Sequence, residues 1–154
     1  MPDEVRIEAE LYEPTRLFLH AAFGTRLAES TTTPVQIFAA DTSKTQVADG
    51  GQWSRPDVAA LVIGAGVYVP YWKADLHTFE VKTAAGLSET SVHEANAHGR
   101  YGHYPWLVFQ SVGRASVDAD STFKRVHKLA SHLGIGLIHF QNPREVLDWT
   151  ITLW

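Results

Sequence analysis

Residues 57–82 decide the fold of this chain: DVAALVI at 57–63, GAG at 64–66, and a second arm that ends in LHTFEVK at 76–82. The first arm is a nearly continuous apolar run, which is typical of a buried strand. The glycines predict the turn, because glycine adopts the positive φ angles of tight turns without steric cost. The two arms together predict an antiparallel hairpin.

The second arm of this hairpin divides its side chains between two faces. Successive side chains of a strand point to opposite sides of the sheet. The even-numbered side carries Leu76, Thr78, Glu80 and Lys82, and the odd-numbered side carries His77, Phe79 and Val81. Asp57 opens the first arm, so an antiparallel register of suitable offset places its carboxylate beside Glu80 and Lys82.

Elements on both sides of the hairpin predict an α/β fold, with a mixed central sheet flanked by helices. In chain order, the periodicity predicts a helix over 8–23, a strand over 34–40, the hairpin, a helix over 91–103, a strand over 106–111, a helix over 121–133 and a strand over 135–140. Pro14 is tolerated only in a first helical turn, so the first helix begins near Glu13 or has a bent lead-in. Ser121 and Gly134 are expected to cap the last helix. The two strands around that helix should be parallel, and the tail over 143–154 is left open.

Asp57 and Glu80 would form a pair of converging carboxylates at one end of the hairpin. Hard divalent cations such as Mg²⁺ prefer oxygen ligands from one or two carboxylates, with water and phosphate oxygens in the other positions. The carbonyl of Val81, at the strand edge, is a further candidate ligand. Lys82 adds a cation that can orient an attacking water and neutralise charge in a transition state.

Two short motifs in the hairpin match a known pattern. Pro56-Asp57 supplies PD and residues 80–82 supply ExK, with twenty-two residues between the two acids. The stretch ELYEP at 10–14 and the order helix, three strands, helix, strand extend the likeness over residues 8–140. The chain therefore resembles the PD-(D/E)XK nuclease superfamily, whose members share a restriction-endonuclease-like fold with an αβββαβ core.

The resemblance implies a function. It implies an Mg²⁺- or Mn²⁺-dependent endo- or exonuclease that hydrolyses phosphodiester bonds, in DNA rather than RNA. Asp57 and Glu80 would hold the metal, and Lys82 would position the water. Glu10, in the ELYEP stretch, matches a glutamate that can sit near the metal in several members.

The predicted helix after ExK departs from the pattern of some branches, which carry Q-A-x-x-Y there. Here the matching stretch is EANAH, with Glu94 and His98 one helical turn apart on a shared face. They are candidates to support a metal-bound water or a phosphate. Asp75 is a second candidate acid, but its odd separation from Glu80 predicts that it lies on the opposite face.

These residues also have structural interpretations. A Pro-Asp pair before a strand is common in turns, and Glu80 with Lys82 could be a solvated pair on an edge strand. Lys124, Arg125 and Lys128 form the largest local positive patch, which is either the wet face of a helix or a set of phosphate contacts.

Composition bounds the remaining possibilities. With 154 residues, of which 45% are apolar and 19% charged, residues 1–154 are predicted to form a single domain. The absence of cysteine excludes disulfides, thiolate catalysis and cysteine-rich zinc sites. The acidic start and the lack of an apolar stretch of roughly 20 residues predict a cytoplasmic protein without a membrane role. A net charge of -4 argues against coating nucleic acid by electrostatics, but not against cutting it.

Two other classes of function stay open. The chain could be an inert module that keeps the nuclease fold and acts through a homodimer or a partner protein, which would supply DNA affinity. It could also be a structural subunit that uses its apolar C-terminal tail as an interface.

Overall fold

The computed structural model describes residues 4–27, 32–45, 55–66, 68, 70–111 and 120–153. These residues form an α/β fold around an open six-stranded mixed sheet, in which the strands lie side by side in chain order. The strands are β1 (Thr32–Asp41), β2 (Val58–Gly66), β3 (Trp72–Lys82), β4 (Tyr104–Gln110), β5 (Gly136–Phe140) and β6 (Thr150–Leu153).

The helices fall into two groups. The N-terminal group is a 3₁₀ turn (Glu8–Leu11), α1 (Tyr12–Phe18), a π-helical turn (Leu19–Phe23) and α2 (Gly24–Leu27). The second group is α3 (Glu89–Ala97) with a 3₁₀ turn (His98–Arg100), and α4 (Ser121–Leu133). A further 3₁₀ turn (Val146–Asp148) contacts the N-terminal group, since Arg26 donates to the Val146 carbonyl at 3.2 Å. Pro14 lies in the first turn of α1, so the predicted lead-in is confirmed as the 3₁₀ turn. No described helix is long and apolar enough to cross a bilayer.

The direction of each strand follows from its connection. β1, β2 and β3 form an antiparallel meander. β4 is parallel to β3, and β5 is parallel to β4, because α3 and α4 carry the chain back between these strands. The predicted parallel pair is therefore confirmed. The tail that the sequence left open adds β6, antiparallel to β5.

The sheet separates two apolar cores. The N-terminal helices pack on the α1 face of the sheet, which carries Phe79, Val81, Trp106 and Val108. α3 and α4 pack on the α3 face, which carries Leu107, Phe109 and Leu137. Gly136 is required by close packing, since a Cβ there would overlap the indole of Trp106. Both faces of the central strands are thus covered at the level where β3 ends.

Three local predictions are wrong. Gly64 and Gly66 lie within β2 rather than in the turn, and the Gly66 N–H donates to the Tyr71 carbonyl at 2.9 Å. The helix predicted to reach residue 103 becomes a 3₁₀ turn at His98. The N-cap of α4 is Asp120 rather than Ser121, because the Asp120 carboxylate accepts from the Phe123 N–H at 2.7 Å. The predicted cap at Gly134 is confirmed, with a φ of 71°.

Candidate active site

The register of the hairpin brings Asp57 beside the end of β3. Val58 pairs with Phe79, and the Asp57 N–H donates to the Phe79 carbonyl at 3.1 Å. Asp57 is therefore the residue opposite Glu80. Its Oδ2 accepts from the Val81 N–H at 2.9 Å, at the point where β2 has ended and this amide has no strand partner on that side. The Asp57 carboxylate thus accepts the hydrogen bond that a backbone carbonyl would accept if β2 extended further.

The same geometry orients the backbone of Val81. A strand residue directs its N–H and its carbonyl to the same neighbouring strand. Because the Val81 N–H points toward Asp57, its carbonyl points to the same edge. The Asp57 carboxylate and the Val81 carbonyl are, with Glu80, the metal ligands that the sequence predicts. They therefore lie along the same edge of β3.

Lys82 lies between two glutamates on the α3 face. Its Nζ is 2.8 Å from Glu80 Oε1 and 2.8 Å from Glu94 Oε2. The side chains of Glu80 and Lys82 are only 9% and 13% exposed. The alternative of a solvated pair on an edge strand is therefore wrong, since β3 is a central strand and α3 covers the pair. Partly buried charges of this kind are held by mutual pairing.

His98 closes the cluster from α3, one helical turn after Glu94. Its Nε2 is 3.6 Å from Glu80 Oε2, and the side chain is 2% exposed. Its Nδ1 has no hydrogen-bond partner among the residues that the structure describes. The predicted shared face of Glu94 and His98 thus points at β3, and both residues contact the ExK pair.

The N-terminal glutamate in this group is Glu8. Its Oε1 lies 3.5 Å from Lys82 Nζ, whereas Glu10 is exposed on the 3₁₀ turn. Sequence reasoning selected Glu10 from the ELYEP stretch. The 3₁₀ turn that precedes Pro14 rotates side chains differently from an α-helix, so Glu8 faces the sheet. Both glutamates belong to the acidic pattern EAE at 8–10, and only the geometry of the turn distinguishes Glu8 from Glu10.

Tyr12 is a second residue that the sequence did not single out. Burial, followed by the charge and hydrogen bonding of Asp57, raises the pKa of its hydroxyl far above the ordinary value. The phenol therefore remains protonated and donates toward Asp57. Together, Glu8, Asp57, Glu80, Lys82, Glu94 and His98 are called the Lys82 cluster below.

The two central acids of the Lys82 cluster disfavour each other's charge. Burial, and then the charge of Asp57, raises the pKa of Glu80 from 4.5 to about 8. Burial also raises the pKa of Asp57, although the Val81 N–H and Tyr12 oppose this shift. Desolvation and a neighbouring like charge are the two effects that raise a carboxyl pKa.

The basic members respond in opposite ways. Burial lowers the pKa of Lys82, but Glu80 and Glu94 outweigh burial and the net pKa is raised. Burial lowers the pKa of His98 to about 4, although Glu94 opposes this shift. Lys82 is therefore a cation and His98 a neutral ring at neutral pH. One ammonium faces four carboxyl groups, a balance that favours binding of an additional cation.

The donors suit a hard divalent cation. The carboxylates of Asp57 and Glu80 with the Val81 carbonyl would offer three oxygen ligands to such a cation, and Mg²⁺ keeps water in its other positions. Across the described ranges, no group of three or more histidine, aspartate and glutamate side chains has a metal-binding arrangement. A metal here would accordingly need the backbone carbonyl and water in addition to the two carboxylates.

The other candidate residues lie outside the cluster. Asp75 is on the α1 face of β3, where it pairs with Lys73 at 2.8 Å. Lys124, Arg125 and Lys128 are on the exposed side of α4. Arg125 Nε lies 3.4 Å from Glu89 Oε2 at the start of α3. Of the five tryptophans, Trp106 and Trp149 are buried and Trp72 is exposed, while Trp53 and Trp154 lie outside the described residues.

Comparison with models of known protein families gave no match, and searches of curated proteins and of solved structures gave no significant match either. Function is therefore inferred from the geometry and the charges of the Lys82 cluster.

Proposed function

We propose that this chain is a nuclease that hydrolyses phosphodiester bonds in DNA with the help of Mg²⁺ or Mn²⁺. One observation carries the proposal: Asp57 and Glu80, with twenty-two residues between them in the chain, meet at a strand edge beside Lys82. We also infer a restriction-endonuclease-like core. The order N-terminal helix, β1, β2, β3, α3, β4, with β3 and β4 parallel, supports this inference.

Each residue has a role that follows from its position. Asp57, Glu80 and the Val81 carbonyl would hold the metal, which when bound supplies charge stabilisation to a phosphate and lowers the pKa of water. Lys82 is the cation nearest to these acids, so it orients the attacking water and neutralises charge that develops on the phosphate. Glu94 holds Lys82 in place at 2.8 Å.

The raised pKa of Glu80 supports this assignment. Two buried carboxylates that repel each other are costly without a cation between them. A divalent cation would relieve that repulsion and favour the ionised form of both acids. Metal binding should therefore release a proton near neutral pH.

Hydrolysis of supercoiled plasmid and of linear DNA, each with Mg²⁺ or Mn²⁺, tests the proposal. We expect the wild-type chain to cut, and Lys82→Ala and Asp57→Asn to lose about 10²–10³ in rate. Asp75→Asn and Lys73→Ala are matched controls, because they change the same residue types on the opposite face of β3 and should cut at the wild-type rate. Equal rates in all five proteins, or no cleavage by the wild type with either metal, would reject the nuclease.

A second candidate function is an inert binding module on the same fold. The observation that favours it is the closed pairing of Lys82 by Glu80 and Glu94, which leaves the ammonium with two carboxylates already in contact. Such a module would bind DNA through a homodimer or a partner protein. Calorimetric titration with Mn²⁺ separates the two candidates, since only the nuclease requires binding that Asp57→Asn abolishes.

A further inference from the structure

The two edges of the sheet differ in length. β1 (Thr32–Asp41) forms one edge with ten residues, and β6 (Thr150–Leu153) forms the other with four. In the part of the chain that the structure describes, β1 pairs with β2 alone. The outward N–H and C=O groups of an edge strand can pair with a further strand, and a short edge offers few of them. β1 is therefore the edge that can accept one.

The second half of β1 lacks the features that protect natural edge strands, which are proline, bulges and charged side chains, above all lysine. Pro34 and the register shift between Pro34 and Gln36 protect the first half. From Gln36 onward the pairing with β2 is regular as far as Asp41. The segment 36–40, QIFAA, has no charged side chain. This segment is called the open edge below.

Phe38 lies at the centre of the open edge. Its side chain is 51% exposed on the α3 face, beside Leu61, which lies opposite on β2 and is 37% exposed. Ile37 and Ala39 pack against the core on the α1 face. An exposed aromatic side chain next to unpaired backbone groups favours a partner strand that supplies both hydrogen bonds and an apolar side chain.

The open edge is complementary to itself. Residues that lie directly opposite in antiparallel strands share a face of the sheet. A two-fold axis perpendicular to the sheet at Phe38 therefore places the two Phe38 rings of two copies opposite each other, as a cross-strand aromatic pair. The same axis places Ile37 opposite Ala39 of the second copy, and Gln36 opposite Ala40. Each larger side chain on either side of the axis thus faces a small one.

Charge also favours a second copy. Asp41 is the first charged residue after the open edge. With the axis at Phe38, the two Asp41 residues lie about 20 Å apart along the strands. That distance exceeds the Debye length of roughly 8 Å at physiological salt, so the two carboxylates repel each other little. A charged peptide, by contrast, finds no opposite charge on the open edge, and a phosphate finds no cation.

We propose that two copies of this chain pair through β1, antiparallel and about a two-fold axis at Phe38, and so join their six-stranded sheets into one continuous sheet. The paired segment of five residues is ~17 Å long. It forms less contact than a standard interface, which buries about 800 Å² on each partner, so the dimer should dissociate at roughly micromolar concentrations. The proposal does not depend on the nuclease activity.

Sedimentation velocity at protein concentrations from about 1 to 200 µM tests the pairing. We expect the wild-type mass to rise from monomer to dimer. Phe38→Lys should raise the Kd of the dimer by at least about tenfold, because it removes the aromatic pair and sets two like charges opposite each other. Trp72→Lys is the matched control and should leave the Kd unchanged. Trp72 is 71% exposed on the same face, but it lies on β3, two strands from the edge. Thermal unfolding shows whether each variant is folded.

A single cysteine tests the register, because the chain has no cysteine of its own. Phe38→Cys should form an intermolecular disulfide under mild oxidation, since directly opposite residues have Cβ atoms about 4.5–5.5 Å apart. Ala40→Cys should not, because the axis places the two copies of residue 40 about 13 Å apart along the strands.

A dimer that Phe38→Lys weakens, that Trp72→Lys preserves and that Phe38→Cys crosslinks supports the pairing. A monomer at every concentration overturns it, and so does a dimer that Phe38→Lys leaves intact. A dimer that both lysine substitutions weaken also overturns it and assigns the contact to the exposed sheet face. Crosslinking of Ala40→Cys that equals that of Phe38→Cys overturns the axis at Phe38.

Discussion

The two faces of β3 carry side chains of very different character. On the α1 face, the Phe23 ring packs edge-on against Phe79 at 5.6 Å and Trp106 at 5.3 Å, and the Trp106 Nε1–H donates to His77 Nδ1 at 2.9 Å. On the α3 face, Glu80 and Lys82 are buried with excess negative charge. Alternate residues of β3 thus have opposite effects. Those on the α1 face stabilise the fold by apolar packing, and those on the α3 face form a buried charge cluster that lowers the free energy of unfolding.

The contrast shows how a small sheet can hold a buried charge cluster. Charged groups held away from water reduce stability unless each is paired. Apolar burial on the opposite face offsets that cost. We therefore expect changes on the α1 face to act on folding, and changes on the α3 face to act on function with small or even favourable effects on stability.

The largest effect is expected from Phe79→Ala. Phe79 is fully buried and contacts the aromatic group on the α1 face. Truncation of such a ring lowers the free energy of unfolding by about 3–5 kcal/mol. Urea unfolding followed by circular dichroism measures it. A loss below about 1 kcal/mol would show that the α1 face does not carry the stability of the sheet.

The next largest effect is the pH dependence of the free energy of unfolding that His77 causes on the α1 face. Burial lowers the pKa of His77 from 6.5 to about 4. Between these values the unfolded chain binds more protons, so the free energy of unfolding falls as pH falls, by an amount on the order of 3 kcal/mol. His77→Gln keeps an acceptor for Trp106 but does not titrate. Its unfolding should therefore depend less on pH in this window, and an unchanged slope would contradict the assignment.

The α3 face should show the opposite dependence. The pKa of Glu80 is raised from 4.5 to about 8, so the metal-free folded chain binds more protons than the unfolded chain between these values. The free energy of unfolding contributed by Glu80 then falls as pH rises. We expect the free energy of unfolding of Glu80→Gln at pH 8 to exceed that of wild type by more than about 1 kcal/mol, while hydrolysis is lost.

Mn²⁺ sharpens this test. The ion should stabilise the wild-type chain at pH 8, and it should leave the unfolding temperature of Glu80→Gln nearly unchanged. If Glu80→Gln instead lowers the free energy of unfolding at pH 8, the ion pair of Glu80 with Lys82 stabilises the fold, and the ionised carboxylate is not unfavourable.

The smallest effect concerns two buried threonines. Thr78, on the α3 face, has no partner for its Oγ1 among the described residues, whereas Thr15 Oγ1 donates to the Leu11 carbonyl at 2.7 Å. Thr78→Val should raise the free energy of unfolding by about 1 kcal/mol, because a buried polar group without a partner is removed. Thr15→Val, the matched control, should lower it. Equal effects in the two variants would contradict the contrast.

The sequence was sufficient where one period governs the structure. Alternation along 76–82 predicted the shared face of Glu80 and Lys82, whereas Asp57 was expected beside Glu80 only if the register allowed it, and the turn beyond Gly66 supplies that register. The helix over 121–133 has the bounds that its apolar stripe and Gly134 indicate. These features depend on local geometry, which side-chain spacing encodes directly.

The sequence was insufficient where packing decides between local alternatives. Gly64 and Gly66 can form a turn, but pairing with β1 and β3 extends β2 through them. Glu8 and Glu10 would lie on opposite sides of a helix, and the turn before Pro14 fixes which of them faces Lys82. The tail around Thr150 alternates polar and apolar residues over only four positions, and it becomes a strand because β5 offers it an unpaired edge.

The linear order of the strands has a consequence for synthesis. All residues of the Lys82 cluster lie between Glu8 and His98. Phe18, however, stacks on Trp149 with ring centroids 4.6 Å apart. As the chain leaves the ribosome, the hairpin and α3 can assemble the acids before the last strands exist, but the N-terminal helix gains its final aromatic partner only at the end. The nascent chain can thus bring the residues of the Lys82 cluster together before Phe18 gains Trp149 as a stacking partner.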